Sequence, residues 1–184
     1  SVGAEGISIG VVPTPAVSYL VKKYNADAGI MISASHNSFE FNGIKFFNKD
    51  GYKLTDEIED SIEKLVESND ESSLPTGEKL GKILKCESAV DDYVKYLCET
   101  FEGNIENLKL AVDCANGSAS ATASKIFSKI NSNATILFDN PDGININENC
   151  GSTHLEKLSE YVVKNKCDIG IAFDGDADRC LLID

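Results

Sequence analysis

The chain has 184 residues, with 17 Lys plus Arg against 30 Asp plus Glu, a net charge of −13. Hydrophobic residues make up 42% and charged residues 26%, the balance of a packed globular chain rather than a disordered tail. That charge excludes broad contact with a nucleic-acid backbone, which needs Lys and Arg to displace counterions, but leaves room for a local cationic pocket that takes a phosphorylated small molecule. No run of about 18 apolar residues is present, so no membrane partner is expected.

The predicted elements follow in chain order. Ile7 to Val12 is a short apolar run closed by Pro13-Thr14-Pro15, and a helix follows with Val17, Leu20, Val21 and Tyr24 at helical spacing. Ala28 to Ser33 reads as an apolar strand, 35–42 as a polar loop and Gly43 to Phe47 as the next strand. Thr55-Asp56-Glu57 predicts a helix start, with Ile58, Ile62, Leu65 and Val66 facing inward up to about Glu67. The polar stretch 69–77 reads as a linker. Beyond it, helix over Ser88–Phe101, strand over Leu108–Asp113, helix over Ser120–Ile130, strand over Ala134–Phe138, a long loop over 139–153, helix over Leu155–Lys164 and strand over Asp168–Phe173 give the alternation of an α/β domain with a largely parallel sheet.

Six cysteines stand at 86, 98, 114, 150, 167 and 180, no two closer than twelve residues, so no zinc-type pairing exists. Free thiols in a reducing, cytoplasmic setting are expected. Cys114 and Cys180 lie in apolar runs and read as small buried hydrophobes. A chain that opens on Ser1 and closes on Leu181-Leu182-Ile183-Asp184 in a strand pattern reads as a piece of a longer protein.

Three stretches could carry chemistry. In Asp174-Gly175-Asp176-Ala177-Asp178-Arg179 the acids recur at every second residue. On an extended chain such residues point to one side, and three converging carboxylates call for a cation. All-oxygen ligands suit Mg²⁺. An EF-hand loop would need glycine where Arg179 stands, while an aspartyl nucleophile and a plain acidic turn stay open as alternatives. The second stretch is Ser33-Ala34-Ser35-His36-Asn37-Ser38, ending in Asn42-Gly43-Ile44-Lys45. Adjacent Ser35 and His36 face opposite ways on an extended chain, His154 is the only other histidine, and no nucleophile elbow is present, so a hydrolytic triad is disfavoured. A serine on this loop could accept a phosphoryl group, or simply cap the loop. The third stretch, 141–154, is long enough for a functional or mobile loop, and equally for a surface loop that caps the next helix.

Together these segments resemble the α-D-phosphohexomutase superfamily. Ala34-Ser35-His36-Asn37 is similar to its phosphoserine loop and Asp174 to Arg179 to its metal loop. Pro13-Thr14-Pro15 and Asn42-Gly43-Ile44-Lys45 match in order, and Asn149-Cys150-Gly151-Ser152-Thr153-His154 is most similar to the amino-sugar branch. Ser38 stands where that family usually has proline, and Asn116-Gly117-Ser118-Ala119 departs from its common form.

The resemblance implies two three-layer α/β domains with mixed, largely parallel sheets: an incomplete first domain over 1–86 and a second over 87–184. It implies a four-domain enzyme that interconverts glucosamine 6-phosphate and glucosamine 1-phosphate. Ser35 would carry the phosphoryl group, and one Mg²⁺ would be held by Asp174, Asp176, Asp178 and phospho-Ser35. Lys45 would serve in phosphate contact or acid–base work, and His36 as a proton shuttle or orienting donor. Asn37 would shape the loop, and Asn37 and Arg179 would help bind phosphate. The partner would be a phosphorylated amino sugar, and the 184 residues alone are expected not to turn over. A sheet lacking its first strand could also pair with another copy through its edge. A phosphoglucomutase or phosphomannomutase, and a non-catalytic metal- or phosphosugar-binding module, are the alternatives.

Overall fold

The computed structural model describes residues 3–68 and 74–184. β1 (Gly6–Ser8) leads into α1 (Thr14–Lys23), which has a proline in its first turn, where a missing N–H leaves nothing unpaired. Lys22 and Lys23 in the last turn face the negative end of the helix dipole. The apolar stripe Ala16, Val17, Leu20 and Val21 is buried against β2 (Ala28–Ile32), which pairs antiparallel with β3 (Ile44–Asn48). Gly29 permits that close approach: a Cβ there would sit 2.4 Å from Val21 and 2.8 Å from Val17. β1 pairs in parallel with β4 (Ile83–Lys85), the return of the chain after α2 (Asp56–Ser68). The proposed linker lies partly outside the described residues; 74–76 is irregular and 77–79 a single 3₁₀ turn.

One expectation fails here, and one apolar strand is less covered than its composition suggests. The apolar strand β2 is covered on one face only: Ile30 and Ile32, with Ile44 of β3, are exposed, because α1 packs on the opposite face. The inward face predicted for α2 is not buried either; Leu65 is 72% and Val66 70% exposed. The helix stands on its spacing and on Asp56, Glu57 and Glu59 in its first turn, and among the described residues no element seals its apolar side.

The second half is a four-stranded sheet in the order β6 (Thr135–Leu137), β5 (Leu110–Asp113), β7 (Ile169–Phe173), β8 (Cys180–Ile183). The first three strands run parallel and β8 turns back antiparallel. Every residue of the central β5 is buried, because both faces are covered. Ala111 and Ala172 face Leu158 and Val162 of α5 (Glu156–Asn165). On the other face, Val112 and Cys114 meet Ala119 and Ala123, the last at the start of α4 (Ala123–Ile130). This half is thus three-layered, and the chain as a whole is α/β with mixed, largely parallel sheets. α3 (Ala89–Thr100) serves both halves: Ala89 and Tyr93 join the core around α1, and Asp91 accepts a hydrogen bond from Lys125 of α4 at 2.6 Å. Cys114 is buried as expected, but Cys180 is exposed, because β8 is the edge strand.

Candidate active site

Two loops meet at the carboxyl ends of β2 and β7. The first leaves β2, spans 33–43 and returns as β3; its base is closed by the Ser33 N–H donating to the Gly43 carbonyl at 2.9 Å. At its head Ser35 takes a left-handed backbone, φ 56°, with its N–H donating to Ser33 Oγ at 2.9 Å. The second loop joins β7 to β8, and it is a turn rather than an extended segment. Ala177 N–H donates to the Asp174 carbonyl at 3.0 Å, and Ala177 has φ 54°. The aspartates therefore converge because the hairpin folds them together, not because alternate residues of a strand share a face. One carboxylate oxygen of each of Asp174, Asp176 and Asp178 lies within 4.8 Å of the others.

Cations tie the two loops together. Ser35 Oγ donates to Asp174 Oδ2 at 2.6 Å and accepts from Arg179 Nη2 at 2.6 Å. Arg179 also donates from Nη2 and Nε to Asp174 Oδ2, at 2.8 and 3.0 Å. The same Nη2 reaches His36 Nδ1 at 2.7 Å, so that ring nitrogen is the acceptor. Lys45, at the start of β3, donates to Asp176 and, at 3.1 Å, to Asp178. Asn37 enters through its backbone carbonyl, which accepts from Asn147 Nδ2 at 2.9 Å. All eight residues singled out from sequence thus lie along this seam.

The structure adds residues that spacing did not single out. Thr14 Oγ1 donates to Asp176 Oδ2 at 2.6 Å, and Thr14 N–H donates to the Asp176 carbonyl at 2.8 Å. The helix start at Pro13-Thr14-Pro15 is therefore also a support for the acidic turn. Asp113, at the end of β5, is fully buried and accepts from the N–H groups of Ala115 and Gly151, both at 2.8 Å, which pins the long loop to the sheet. Burial holds its carboxyl above the usual range despite those donors. Gly117 and Gly175 are packed backbone to backbone: a Cβ on Gly117 would lie 2.3 Å from the Gly175 carbonyl oxygen.

The electrostatics are those of a site that wants one more cation. Burial alone would raise the Asp176 carboxyl, but the hydrogen bonds from Lys45 and Thr14 outweigh it and hold it below its ordinary value. Burial pulls Lys45 down, and its bonds to Asp176 and Asp178 more than restore it, so it stays charged. Three carboxylates against Lys45 and Arg179 leave one negative charge in excess. Asp176 Oδ1 is buried with no hydrogen-bond partner among the described residues. An oxygen-only donor set with a free buried lone pair fits a hard divalent cation such as Mg²⁺. A cleft of about 320 Å³ opens beside Ser35, lined by the 33–42 loop and by Asn116, Gly117, Pro141 and Asn145.

Comparison with known proteins fits this arrangement. Residues 1–73 match the family description "Phosphoglucomutase/phosphomannomutase, alpha/beta/alpha domain I", and residues 91–184 match domain II of the same family. The chain belongs to the phosphoglucomutase/phosphomannomutase family. It is 57% identical, over its whole length, to a phosphoglucosamine mutase of Clostridium novyi, and 58% to one of Clostridium beijerinckii. It spans 41% of the length of each. Among solved structures, it is similar to a phosphoglucomutase/phosphomannomutase family protein from Burkholderia thailandensis, with a TM-score of 0.77 and 26% identity over 99% of this chain and 40% of that one. A phosphomannomutase-like structure from Thermus thermophilus shares the fold, at a TM-score of 0.72 and 22% identity over 99% of this chain and 43% of that one. Among the described residues no helix is long and apolar enough to cross a membrane.

Proposed function

We propose that the full protein is a phosphoglucosamine mutase, and that these residues are its phosphoryl-carrying and metal-binding part. The observation that carries the reading is the contact of Ser35 Oγ with both Asp174 and Arg179, on a loop facing three convergent aspartates. The 57–58% identity of this chain to part of two clostridial phosphoglucosamine mutases, 41% of each, supports the choice of sugar.

In this reading Ser35 is phosphorylated in the working enzyme. A sugar hydroxyl oxygen attacks phosphorus and gives up its proton, the bond from phosphorus to Ser35 Oγ breaks, the released Oγ takes up a proton to become a hydroxyl again, and a bisphosphorylated sugar results. The sugar turns around, and its other phosphate returns to Ser35, so no phosphate is consumed. Arg179 Nη2, already donating to Oγ, stabilises the charge that develops on the leaving oxygen. The contact of Arg179 with His36 Nδ1 favours an orienting role for His36. Lys45, charged and paired with two aspartates, suits charge balance and phosphate contact better than proton abstraction. Asn37 shapes the loop through its carbonyl.

Phosphoserine adds a charge of about −1.5 to −2 to a site already one negative charge in excess. One Mg²⁺, held by Asp174, Asp176, Asp178 and a phosphoserine oxygen, would offset most of that charge and polarise the phosphoryl group. We place the division between the two domains at residues 86 and 87. The expected partner is a phosphorylated amino sugar.

The test is intact and peptide mass spectrometry of the full-length protein before and after glucosamine 1,6-bisphosphate with Mg²⁺. One added phosphate on Ser35, with turnover of glucosamine 6-phosphate faster than of glucose or mannose 6-phosphate, is the expected result. An unmodified Ser35 under saturating bisphosphate would return the site to a binding module or an aspartyl phosphatase. Preference for glucose or mannose 6-phosphate would keep the phosphoserine chemistry and change the sugar.

A further inference from the structure

We propose that Asn147, on the long loop of the second half, is a positioning residue for the phosphoryl carrier, clamping the head of the Ser35 loop from across the cleft. The proposal rests on the phosphoserine reading above. Asn147 Nδ2 donates to the carbonyl of Ser35 at 3.0 Å and to the carbonyl of Asn37 at 2.9 Å. The sequence separations are 112 and 110 residues, so nothing local brings these groups together. Both partners are carbonyl oxygens. Only the NH₂ end of the amide can face them, and its two hydrogens are both used.

The clamp is itself held rigidly. Asn147 is 6% exposed, its φ is 59°, and its own N–H donates to the Ala115 carbonyl at 2.9 Å. Left-handed backbone is tolerated by asparagine far better than by most residues, which is a physical reason for this residue type here. On the other side of the contact, Gly175 presses against the same spot: a Cβ there would lie 2.5 Å from the Ser35 carbonyl oxygen and 2.8 Å from Asn147 Nδ2. The Ser35 carbonyl is thus fixed between Asn147 and the backbone of the acidic turn. Serine does not favour φ 56° by itself, and a turned carbonyl is the other half of that conformation. Holding the carbonyl down keeps Oγ up, toward Asp174 and Arg179. The bond also crosses between the half that carries the phosphoryl group and the half that carries the acids. Their alignment, which in-line transfer requires, therefore depends on it.

The experiment uses the full-length protein with Asn147→Asp and Asn147→Gly. Both residues tolerate the left-handed backbone and both lack the two donors; Asp keeps the shape, whereas Gly adds no charge. Should either variant fail to fold, the other decides. Hydrogen exchange at the amides of 34–38 is expected to rise at least about tenfold, with β5 and β7 unchanged. kcat is expected to fall by about thirtyfold to a hundredfold while KM stays within about threefold, as for a misplaced reacting group. Wild-type exchange at 34–38 in a folded variant overturns the clamp. So does faster exchange with kcat unchanged. A lack of phosphate on Ser35 in the unsubstituted protein overturns the mutase reading instead, and the exchange measurement then decides the clamp by itself.

Discussion

Ser35 Oγ and Asp174 Oδ2 lie 2.6 Å apart although 139 residues separate them in the chain. The first stands on a loop after β2 and the second at the end of β7, so this hydrogen bond joins the two halves of the molecule at the point where phosphoryl transfer is proposed. The predictions below follow from it and from its surroundings.

Ser35→Ala in the full-length protein removes the phosphoryl acceptor and leaves the acidic turn intact. Phosphate uptake from the sugar bisphosphate should vanish and mutase flux should drop by about a thousandfold or more. Binding of the phosphosugar should stay within about threefold, read by calorimetry. Retained flux would place the carrier elsewhere.

Lys45→Met tests the cation between two aspartates. Asp176 is 1% exposed, and losing its partner leaves a buried charge, a loss of about 3 kcal/mol at pH 7 in chelator-containing buffer. Asp176 has a depressed folded-state pKa. Its stabilising pairing is therefore fully present above the unfolded value of about 3.9 and is lost as pH falls through the lower folded value. The stability gap between the two proteins, measured by urea unfolding, should be largest well above the unfolded value and shrink as pH falls below it toward the lower folded value. A gap that widens in acid would contradict the assignment.

Gly175→Ala introduces a methyl group into a backbone contact. Its Cβ would meet the Ser35 carbonyl at 2.5 Å, too near for any real contact. The two loops must separate, at a cost of about 1–3 kcal/mol, and Ser35 must leave Asp174. Phosphoryl transfer should fall by at least about tenfold with the far-ultraviolet spectrum unchanged.

Thiol reactivity should rank the cysteines by environment. The hydroxyls of Tyr24 and Ser88 near Cys86 pull its thiol below the ordinary value, so more thiolate is present at pH 8. Burial pushes Cys114 and Cys150 up to about 12. Timed alkylation followed by peptide mapping should label Cys86 ahead of Cys180, which is exposed but whose thiol is raised by partial desolvation of the sulfur, and Cys114 and Cys150 only on unfolding.

Asp174→Asn and Asp178→Asn bracket the metal site. If Mg²⁺ binds here through the three carboxylates, each change should weaken it by at least about tenfold, measured by calorimetry with phosphorylated protein. Unchanged affinity in both would move the cation elsewhere.

Much of this was legible in the linear chain. The apolar spacing of α1, α3, α4 and α5 and the short strands between them follow from local periodicity, which reports how a segment can bury one face. The Ser35 loop and the acidic motif stood out in the linear chain because their residues lie in runs of a few positions. What the linear pattern misjudged was coverage. Ile30, Ile32, Leu65 and Val66 are as apolar as any core residue, yet they stay exposed because burial depends on what packs opposite, and periodicity does not record that. The geometry of the acidic motif was misjudged for a related reason: alternation in a strand and a tight hairpin turn bring the same three carboxylates together, and the sequence is identical for both.

The sequence by itself determined the α/β class, the order of the elements and which side chains carry charge and oxygen to a loop, since each depends on neighbours in the chain. The tertiary structure alone decided that Thr14 supports Asp176, that Lys45 pairs across to the acidic turn and that Asn147 reaches the Ser35 carbonyl. These contacts join residues more than a hundred positions apart. Such pairs are set by how packed layers register against one another, and that registration comes from the whole fold and not from any local pattern.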